Sequence, residues 1–525
     1  MCGISGFIGF SDQALLQKMT DALSHRGPDD DGCFLDKSEG IGLGHRRLSI
    51  IDISKRGHQP MTDEQVPVTI TYNGEIYNFR ELRDELVSRG FRFRGTSDTE
   101  VILKIYIADG IGMLDKLDGI FSFAIWDGRS KELLIARDGL GVKPLYYYAR
   151  NNRFLFASEM KAILKCSDVD RTICPVAVKD YLTYLWCPAP RTILQNIKKL
   201  EPGRAMIVSQ KGIQKQWSFY QLPQERLDEK KYSVPGPLEI EAILRRAVTK
   251  QLVSDVPIGA FLSGGLDSST VATFAREAYG EFPCFTIEPN ETLKAEGLEQ
   301  DLPYARKVAE HLKLPLEVVR VGPDMINYIE KMIYHLDEPQ ADPASINVFL
   351  ITELARKKGV KVLLSGVGGD DIFSGYRRHL ALTQEKYWTW MPKPTRLLLT
   401  SITRNLAVTS PTTRRIRKAF EYADQPADNR ISGYFRWLNE DWINLISGEL
   451  MKQGNTTHDS LVSSLSMIPE NSSPLNKMLY LESRHFLADH NLSYTDKMSM
   501  ANGVEVRVPL ADKDLVDAVG RLPDH

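Results

Sequence analysis

The feature that most narrows what this chain can fold into is an alternation between residues 257 and 364. Short apolar runs, Pro257–Leu262, Phe282–Ile287, Leu316–Val321 and Val360–Leu364, are separated by helical stretches near Ser269–Tyr279, Pro303–Lys313 and Ser345–Lys358. A strand followed by a helix and another strand predicts a parallel sheet wrapped by helices, because a parallel neighbour is reached only by a crossover across the sheet face. Ligands of such open sheets bind beyond the carboxyl ends of the strands. Just before this region Ile240, Ile243, Leu244, Ala247, Val248 and Leu252 recur at helical spacing.

The preceding half has a different rhythm. Runs such as Val68–Tyr72, Phe121–Trp126 and Leu133–Ala136 lie among Gly/Asp turns with few helical segments, which predicts α+β with much antiparallel sheet. The stretch Gln221–Pro237 is polar, charged and bounded by proline, with no apolar periodicity to bury, and reads as a linker. The expected division is 2–215, a linker at 216–237, and 238–525; residues 385–485, rich in Trp, Arg and Leu, read as mostly helical without an assigned role.

Charge is nearly balanced, 66 basic against 68 acidic residues, so no global field draws nucleic acid, and Arg414–Lys418 reads as a solvated helix face. Six cysteines with no C-x-x-C pair fit neither a disulfide framework nor a zinc module and point to a reducing compartment. The N-terminus lacks the basic flank of a signal peptide, and no run reaches the roughly 18 apolar residues of a membrane span. The expectation is a cytoplasmic protein with no nucleic-acid and no membrane partner.

Chemistry concentrates in two places. Phe261–Ser269 (FLSGGLDSS) runs from an apolar strand through a small-residue loop into a helix. Gly264 and Gly265 let backbone approach an anion, Ser263, Ser268 and Ser269 supply hydroxyls, and the helix N-terminus adds free N–H groups. Asp267 beside a phosphate requires an intervening cation, so Mg2+ is expected. The string lacks the G-x-x-x-x-G-K-[ST] pattern of γ-phosphate transfer. The second place is the N-terminus, where loss of Met1 would leave Cys2 with a free α-amine of pKa roughly 7.7–8.0, a base for its own thiol.

The S-G-G-L-D-S-S string resembles the pyrophosphate loop of the ATP pyrophosphatases, which split ATP to AMP and pyrophosphate. Ser365–Tyr376 (SGVGGDDIFSGY), Leu336–Pro339 (LDEP), Asp496–Ala501 (DKMSMA) and Glu505–Pro509 (EVRVP) resemble the glutamine-hydrolysing asparagine synthetases. In the first half Cys2–Gly6, His25–Asp29, Gly44–Ile50, Tyr72–Asn78 and Ser97–Asp98 resemble the class II glutamine amidotransferase domain. The resemblance implies an αββα N-terminal nucleophile sandwich followed by an α/β parallel-sheet ATP pyrophosphatase domain. It implies Cys2 as nucleophile, Asn73 and Gly74 as oxyanion donors, and Arg47, Asn73, Gly74, Glu75 and Asp98 as the glutamine pocket. A cation and an anion are what the carboxylate and ammonium of free glutamine require.

For the second half the resemblance implies ATP and pyrophosphate contacts at Leu262, Ser263, Gly264, Gly265, Asp267, Ser268, Ser269, Ile287, Ser365 and Gly366. Magnesium would lie between Asp267 and Asp370, and Asp337 or Glu338 would steer or deprotonate ammonium. The implied reaction adenylates a carboxylate, with aspartate as default acceptor, and an internal passage carries ammonia to it; the expected assembly is a homodimer. Arg26 and Asp29 read as charges that hold a turn. The chain departs from the family at Val367, where an acidic residue is usual, and at Ala511, where leucine is common. It also ends at His525, before a segment whose lysine contacts the phosphates, so the synthetase domain is expected to be C-terminally incomplete. Alternative readings are the same chemistry on another carboxylate such as a sugar acid, a glutaminase with an impaired synthetase half, and a phosphoribosyl amidotransferase; the S-G-G-L-D-S-S loop argues against the last.

Overall fold

The computed structural model describes residues 2–224, 226, 234–290, 301–407, 410–438, 440–447 and 459–523. The first half contributes β1 (Gly3–Ile8), β2 (Asp30–Asp36), β3 (Ile41–Arg47), β4 (Met61–Thr62), β5 (Val68–Ile76), β6 (Gly119–Asp127), β7 (Glu132–Arg137), β8 (Tyr146–Arg150), β9 (Arg153–Ala157), β10 (Ile197–Lys199), β11 (Arg204–Ser209) and β12 (Gly212–Ser218). They form two six-stranded antiparallel sheets ordered β10-β8-β9-β1-β3-β2 and β12-β11-β7-β6-β5-β4. The strand β12 carries the second sheet past residue 215.

Period-two alternation along the strands builds the layers. On β1, Ile4 and Ile8 face the gap between the sheets, with Ala124 and Trp126 of β6 opposite. Phe7 faces the other way, onto Leu15, Leu16 and Met19 of the helix Gln13–Asp21. On β6 the odd-numbered Phe121, Phe123 and Ile125 pack against Val101, Ile102 and Ile105 of the helix Asp98–Asp109. Helices therefore cover the outer faces of two stacked sheets, the αββα arrangement.

The second half forms one parallel sheet from β13 (Ile258–Phe261), β14 (Cys284–Pro289), β15 (Leu316–Val321), β16 (Val362–Leu364) and β17 (Glu505–Arg507), in the order β15-β14-β13-β16-β17. Four of these match the apolar runs expected from sequence. The fifth was not anticipated as a strand: β17 is three residues long and two of them are charged. The crossover helices are Leu266–Tyr279, Leu302–Leu312 and Ala344–Lys357. Among the described residues, 385–485 is mostly helical; on the helix Pro411–Phe420 Arg414 and Arg415 are exposed, but Arg417 is half-buried and Lys418 is half-buried and bonded to Glu421 and the Arg436 carbonyl, so only part of the expected face is solvated. Residues 227–233 of the expected linker lie outside the described residues.

The two halves share one core. Leu48, Ile50, Tyr77, Ile120, Leu140 and Val142 of the first half belong to the same buried cluster as Ala260, Leu363 and Val506 of the parallel sheet. The α/β half is thus docked on the nucleophile half through packed side chains, and this fixes the distance between the two sites.

Candidate active sites

Cys2 is buried just before β1, an interior strand of the first sheet, and its backbone N–H donates to Asn73 Oδ1 at 2.8 Å. Around it one pocket collects Arg47, Tyr72, Gly74, Glu75 and Asp98. Burial pushes the Cys2 thiol up, opposed by a hydrogen bond from the Leu48 backbone and by the Arg47 charge. Asn73, Gly74 and Glu75 are consecutive on β5, and they alternate between the two sheet faces. Gly74 has φ +157°, and a Cβ there would lie 2.1 Å from Ile120 O on the neighbouring β6, so no side chain fits.

The charged pair expected for glutamine is present and held from behind. Arg47 ends β3 and donates from Nη1 to Ser54 O at 2.9 Å and from Nη2 to Asp52 O at 2.5 Å. Asp98 opens the helix Asp98–Asp109, capped by Ser97. Its Oδ2 accepts from Tyr72 Oη at 2.8 Å and from Ile76 N at 3.1 Å, and Oδ1 accepts from Thr99 N at 2.8 Å. Burial raises the Asp98 carboxyl, while the hydrogen bonds from Tyr72, Ile76 and Thr99 favour its charged form. Cys2, Arg47, Asn73, Gly74, Glu75 and Asp98, scattered over 97 positions of sequence, thus converge on one place.

The second site sits at the carboxyl ends of β13 and β16. Leu262 follows β13 and is buried, and Ile287 lies half-buried on β14. Gly265 caps the helix Leu266–Tyr279. Ser263 Oγ and Ser268 Oγ are 3.0 Å apart, Gly265 N donates to Ser263 Oγ at 3.2 Å, and Ser269 Oγ is buried without a hydrogen-bond partner among the described residues. Gly264, at φ +80°, lies so close to the helix Leu302–Leu312 that a Cβ would sit 2.4 Å from Ala305 N. The loop after β16 packs beneath: a Cβ at Gly366 would lie 2.7 Å from Ser268 N, and one at Gly369 would lie 2.1 Å from Asp267 Oδ2. The two glycine loops therefore touch backbone to backbone. Burial and the Asp370 charge push the Asp267 carboxyl up to about 6. Two carboxylates crowded in this way, with the unpartnered Ser269 hydroxyl and a helix N-terminus beside them, suit a hard cation beside phosphate. Among the described residues no cluster of three or more His, Cys, Asp or Glu side chains forms a self-contained metal cage.

Asp337 and Glu338 stand elsewhere. Asp337, at φ +64° after the helix Ile329–Leu336, accepts from Lys161 N at 3.0 and 3.1 Å. Glu338 Oε2 accepts from Tyr146 Oη at 3.0 Å and pairs with Lys199 Nζ at 3.1 Å. These partners all belong to the first half, so both carboxylates lie in the layer between the halves. Sequence reading also underestimated that layer. Arg26, read as a turn charge, is fully buried and bridges Glu159 at 2.8 Å and Asp496 at 2.7 Å, while its Nε donates to Cys2 O at 3.0 Å. Asp29 likewise reaches across to Lys361 Nζ at 2.8 Å. The charges of the D-K-M-S and E-V-R-V-P strings were the available signal.

A nucleophile pocket of this kind fused to a parallel-sheet nucleotide site defines an amidotransferase coupled to an ATP-using ligase. Comparison with known proteins agrees: the glutamine amidotransferase domain family matches residues 1–220, and the asparagine synthase family matches residues 239–525. Asparagine synthetase [glutamine-hydrolyzing] 1 of Bacillus subtilis is 32% identical over all of this chain and 82% of its own length. Asparagine synthetase [glutamine-hydrolyzing] 3 of the same organism is also 32% identical, over all of this chain and 81% of its own length. A solved glutamine phosphoribosylpyrophosphate amidotransferase of B. subtilis aligns at a TM-score of 0.32 and 17% identity, covering 70% of this chain and 81% of that one. The chain belongs to the asparagine synthase family of ATP-dependent, glutamine-hydrolysing ligases.

Proposed function

We propose that this protein converts aspartate to its side-chain amide, with glutamine as nitrogen donor and ATP as activating agent. The observation that carries the reading is the convergence of a Cys2 pocket holding one cation and one anion with a pair of interlocked glycine loops, on halves that share one core.

In the first half, Arg47 receives the glutamine carboxylate and Asp98 its ammonium, which aims the side-chain amide at Cys2 Sγ. The α-amine of a processed Cys2 takes the thiol proton, and Sγ attacks the amide carbon. The oxygen that becomes negative is met by Asn73 Nδ2 and Gly74 N–H, donors fixed before the reaction begins. The α-ammonium returns its proton to the departing nitrogen, so the C–N bond breaks and ammonia leaves, and water hydrolyses the thioester to glutamate and the free thiol. In the second half, backbone N–H groups and hydroxyls of residues 263–269, with Ser365 and Gly366, cradle the phosphates of ATP. Asp267 and Asp370 would hold a magnesium ion, which would neutralise charge on the departing pyrophosphate. The aspartate carboxylate attacks the α-phosphorus, and ammonia passing inside the protein displaces AMP. Asp337 or Glu338, in the layer between the halves, would hold or deprotonate ammonium on its way. We carry forward the domain division, with the first domain ending after β12, together with cytoplasmic residence and a homodimer, which light scattering tests.

The deciding assay follows glutamate and pyrophosphate in parallel with glutamine, magnesium-ATP, and either aspartate or no acceptor. Pyrophosphate released only when aspartate is present supports the reading. Glutamate without pyrophosphate under any of these conditions sinks it.

A further inference from the structure

One residue touches both sites without belonging to either. Arg507 lies on β17, fully buried, at the seam between the halves. Its side chain faces the glutamine pocket, where Nη2 approaches Glu75 Oε1 at 3.6 Å and Nε pairs with Glu505 Oε1 at 2.5 Å. Its backbone faces the nucleotide site, where the Arg507 carbonyl accepts the Ser365 N–H at 2.9 Å. Ser365 is the first residue of the loop whose Gly366 packs against Asp267 and Ser268. A continuous chain of contacts thus runs from the wall of the Cys2 pocket through Glu75, Arg507, Ser365 and Gly366 to the pyrophosphate loop.

A second strand of the same linkage passes through the segment before β13. Arg507 Nη1 donates to the carbonyls of Gln251 and Val253, both at 2.6 Å. Two residues on, Asp255 Oδ2 accepts from Asp52 N at 2.8 Å, and Asp255 N donates to Ile50 O at 3.0 Å. Asp52 in turn supplies the carbonyl that Arg47 Nη2 grips, and its backbone is held at φ +49°, uncommon for a residue with a side chain. The cation that meets the glutamine carboxylate and the strand that feeds the pyrophosphate loop are therefore bolted to one short segment.

Charge supports the same picture. Burial and the nearby Glu505 push the Glu75 carboxyl well up, whereas Arg507 and Lys143 hold Glu505 low against the cost of its burial. One guanidinium is shared unequally by two carboxylates, one from each half. Glutamine bound beside Glu75 would change the field around that guanidinium, whose other hydrogen bonds go to the backbone carbonyls of Gln251 and Val253.

We propose that Arg507 is a positioning residue that couples occupancy of the glutamine pocket to the order of the two glycine loops. This rests on the aspartate-amide reading above. Coupling of two sites is reciprocal, and typical magnitudes are roughly 5- to 150-fold.

The test reads each site from the other, in the full chain. For the wild type, the KM for glutamine in glutamate release is measured with and without ATP, magnesium and aspartate, and is expected to fall at least about fivefold when they are added. In Arg507→Lys, which keeps the charge but loses the paired carbonyl contacts, that change should vanish and glutamate should exceed pyrophosphate. Glu75→Leu is read only in the ammonia-driven reaction, which bypasses the glutamine pocket. There the KM for ATP should rise at least about threefold with little change in kcat, because Arg507 loses the Glu75 contact through which it orders the glycine loops. A purely structural role would lower kcat in both half-reactions and leave both KM values alone. An unresponsive wild type, or variants that keep the wild-type response, would overturn the proposal. A wild type that releases no pyrophosphate from aspartate and ammonia refutes the functional reading instead. If Arg507→Lys does not fold, Glu75→Leu carries the test by itself.

Discussion

Gly74→Ala should separate the two half-reactions. A Cβ at this position would lie 2.1 Å from Ile120 O and 2.7 Å from Phe121 Cα, both backbone atoms of β6 that cannot rotate away. Relieving the clash requires β5 and β6 to part locally by roughly 1 Å, a misplacement on the scale that costs about 100-fold in rate when it falls on a catalytic donor. The Gly74 N–H and the adjacent Asn73 amide are the two donors assigned to the oxyanion, and loss of one such donor costs about 100- to 1,000-fold, or about 3–4 kcal/mol. The two estimates agree, so glutamate release should drop about 100- to 1,000-fold, mainly in kcat. Nine paired positions hold β5 to β6, so the sheet should survive a single displaced pair. The assay compares glutamine-driven and ammonia-driven pyrophosphate release in the same preparation, with thermal unfolding followed by circular dichroism. Ammonia-driven release should stay within about threefold of wild type. If glutamate release is also within threefold, or if both reactions fall together in a folded variant, the assignment of this backbone to the oxyanion is wrong.

Three further outcomes are expected. Arg26→Met should destabilise the protein by about 3–5 kcal/mol in urea unfolding, because Glu159 and Asp496 would remain buried without their shared partner; adding Asp496→Leu should recover part of that loss. Asp370→Asn should abolish magnesium-dependent pyrophosphate release while leaving glutamate release measurable, since Asp370 is the charge that crowds Asp267; a variant that still forms pyrophosphate would remove the pair from the metal site. His45 is fully buried, its Nε2 bonded to Tyr72 O at 3.1 Å, and burial lowers its pKa to about 3. The unfolded chain takes up a proton near pH 6.5 and the folded one does not, so stability falls as pH drops from 6.5 towards 3, by up to about 5 kcal/mol. In His45→Gln the urea midpoint should lose that slope, and an unchanged pH profile would show that another group sets it.

Much of this architecture was legible in the sequence because it depends on local pattern. The apolar runs at Ile258–Phe261 and Val362–Leu364 are central strands of a sheet covered by helices, so they read as unbroken hydrophobic strands. The glycine loop at 263–269 was legible for a similar reason: anion capture by backbone needs small residues at the start of a helix, and that need is written in consecutive positions. The Cys2 pocket was found through separated strings that resemble the class II glutamine amidotransferase domain and include a cation and an anion suited to free glutamine.

Only the tertiary structure decided the layer between the halves. Glu505 and Arg507 do not resemble a strand, since charged residues are costly to bury; they are buried because each finds its counter-charge, and Arg507 finds Glu75 across 432 positions of sequence. Arg26 looked like a turn residue until Asp496, 470 positions away, closed on it. Asp337 and Glu338 were read as carboxylates for ammonium, and only the fold shows that they meet Lys161, Tyr146 and Lys199 of the first half. The sequence by itself determined the two sites, because each depends on local strings and on elements with a clear period. How they face one another was decided by the apolar core the halves share and by long-range pairing of buried charges, whose energy depends on distance and desolvation and leaves no periodic trace in either partner's neighbourhood.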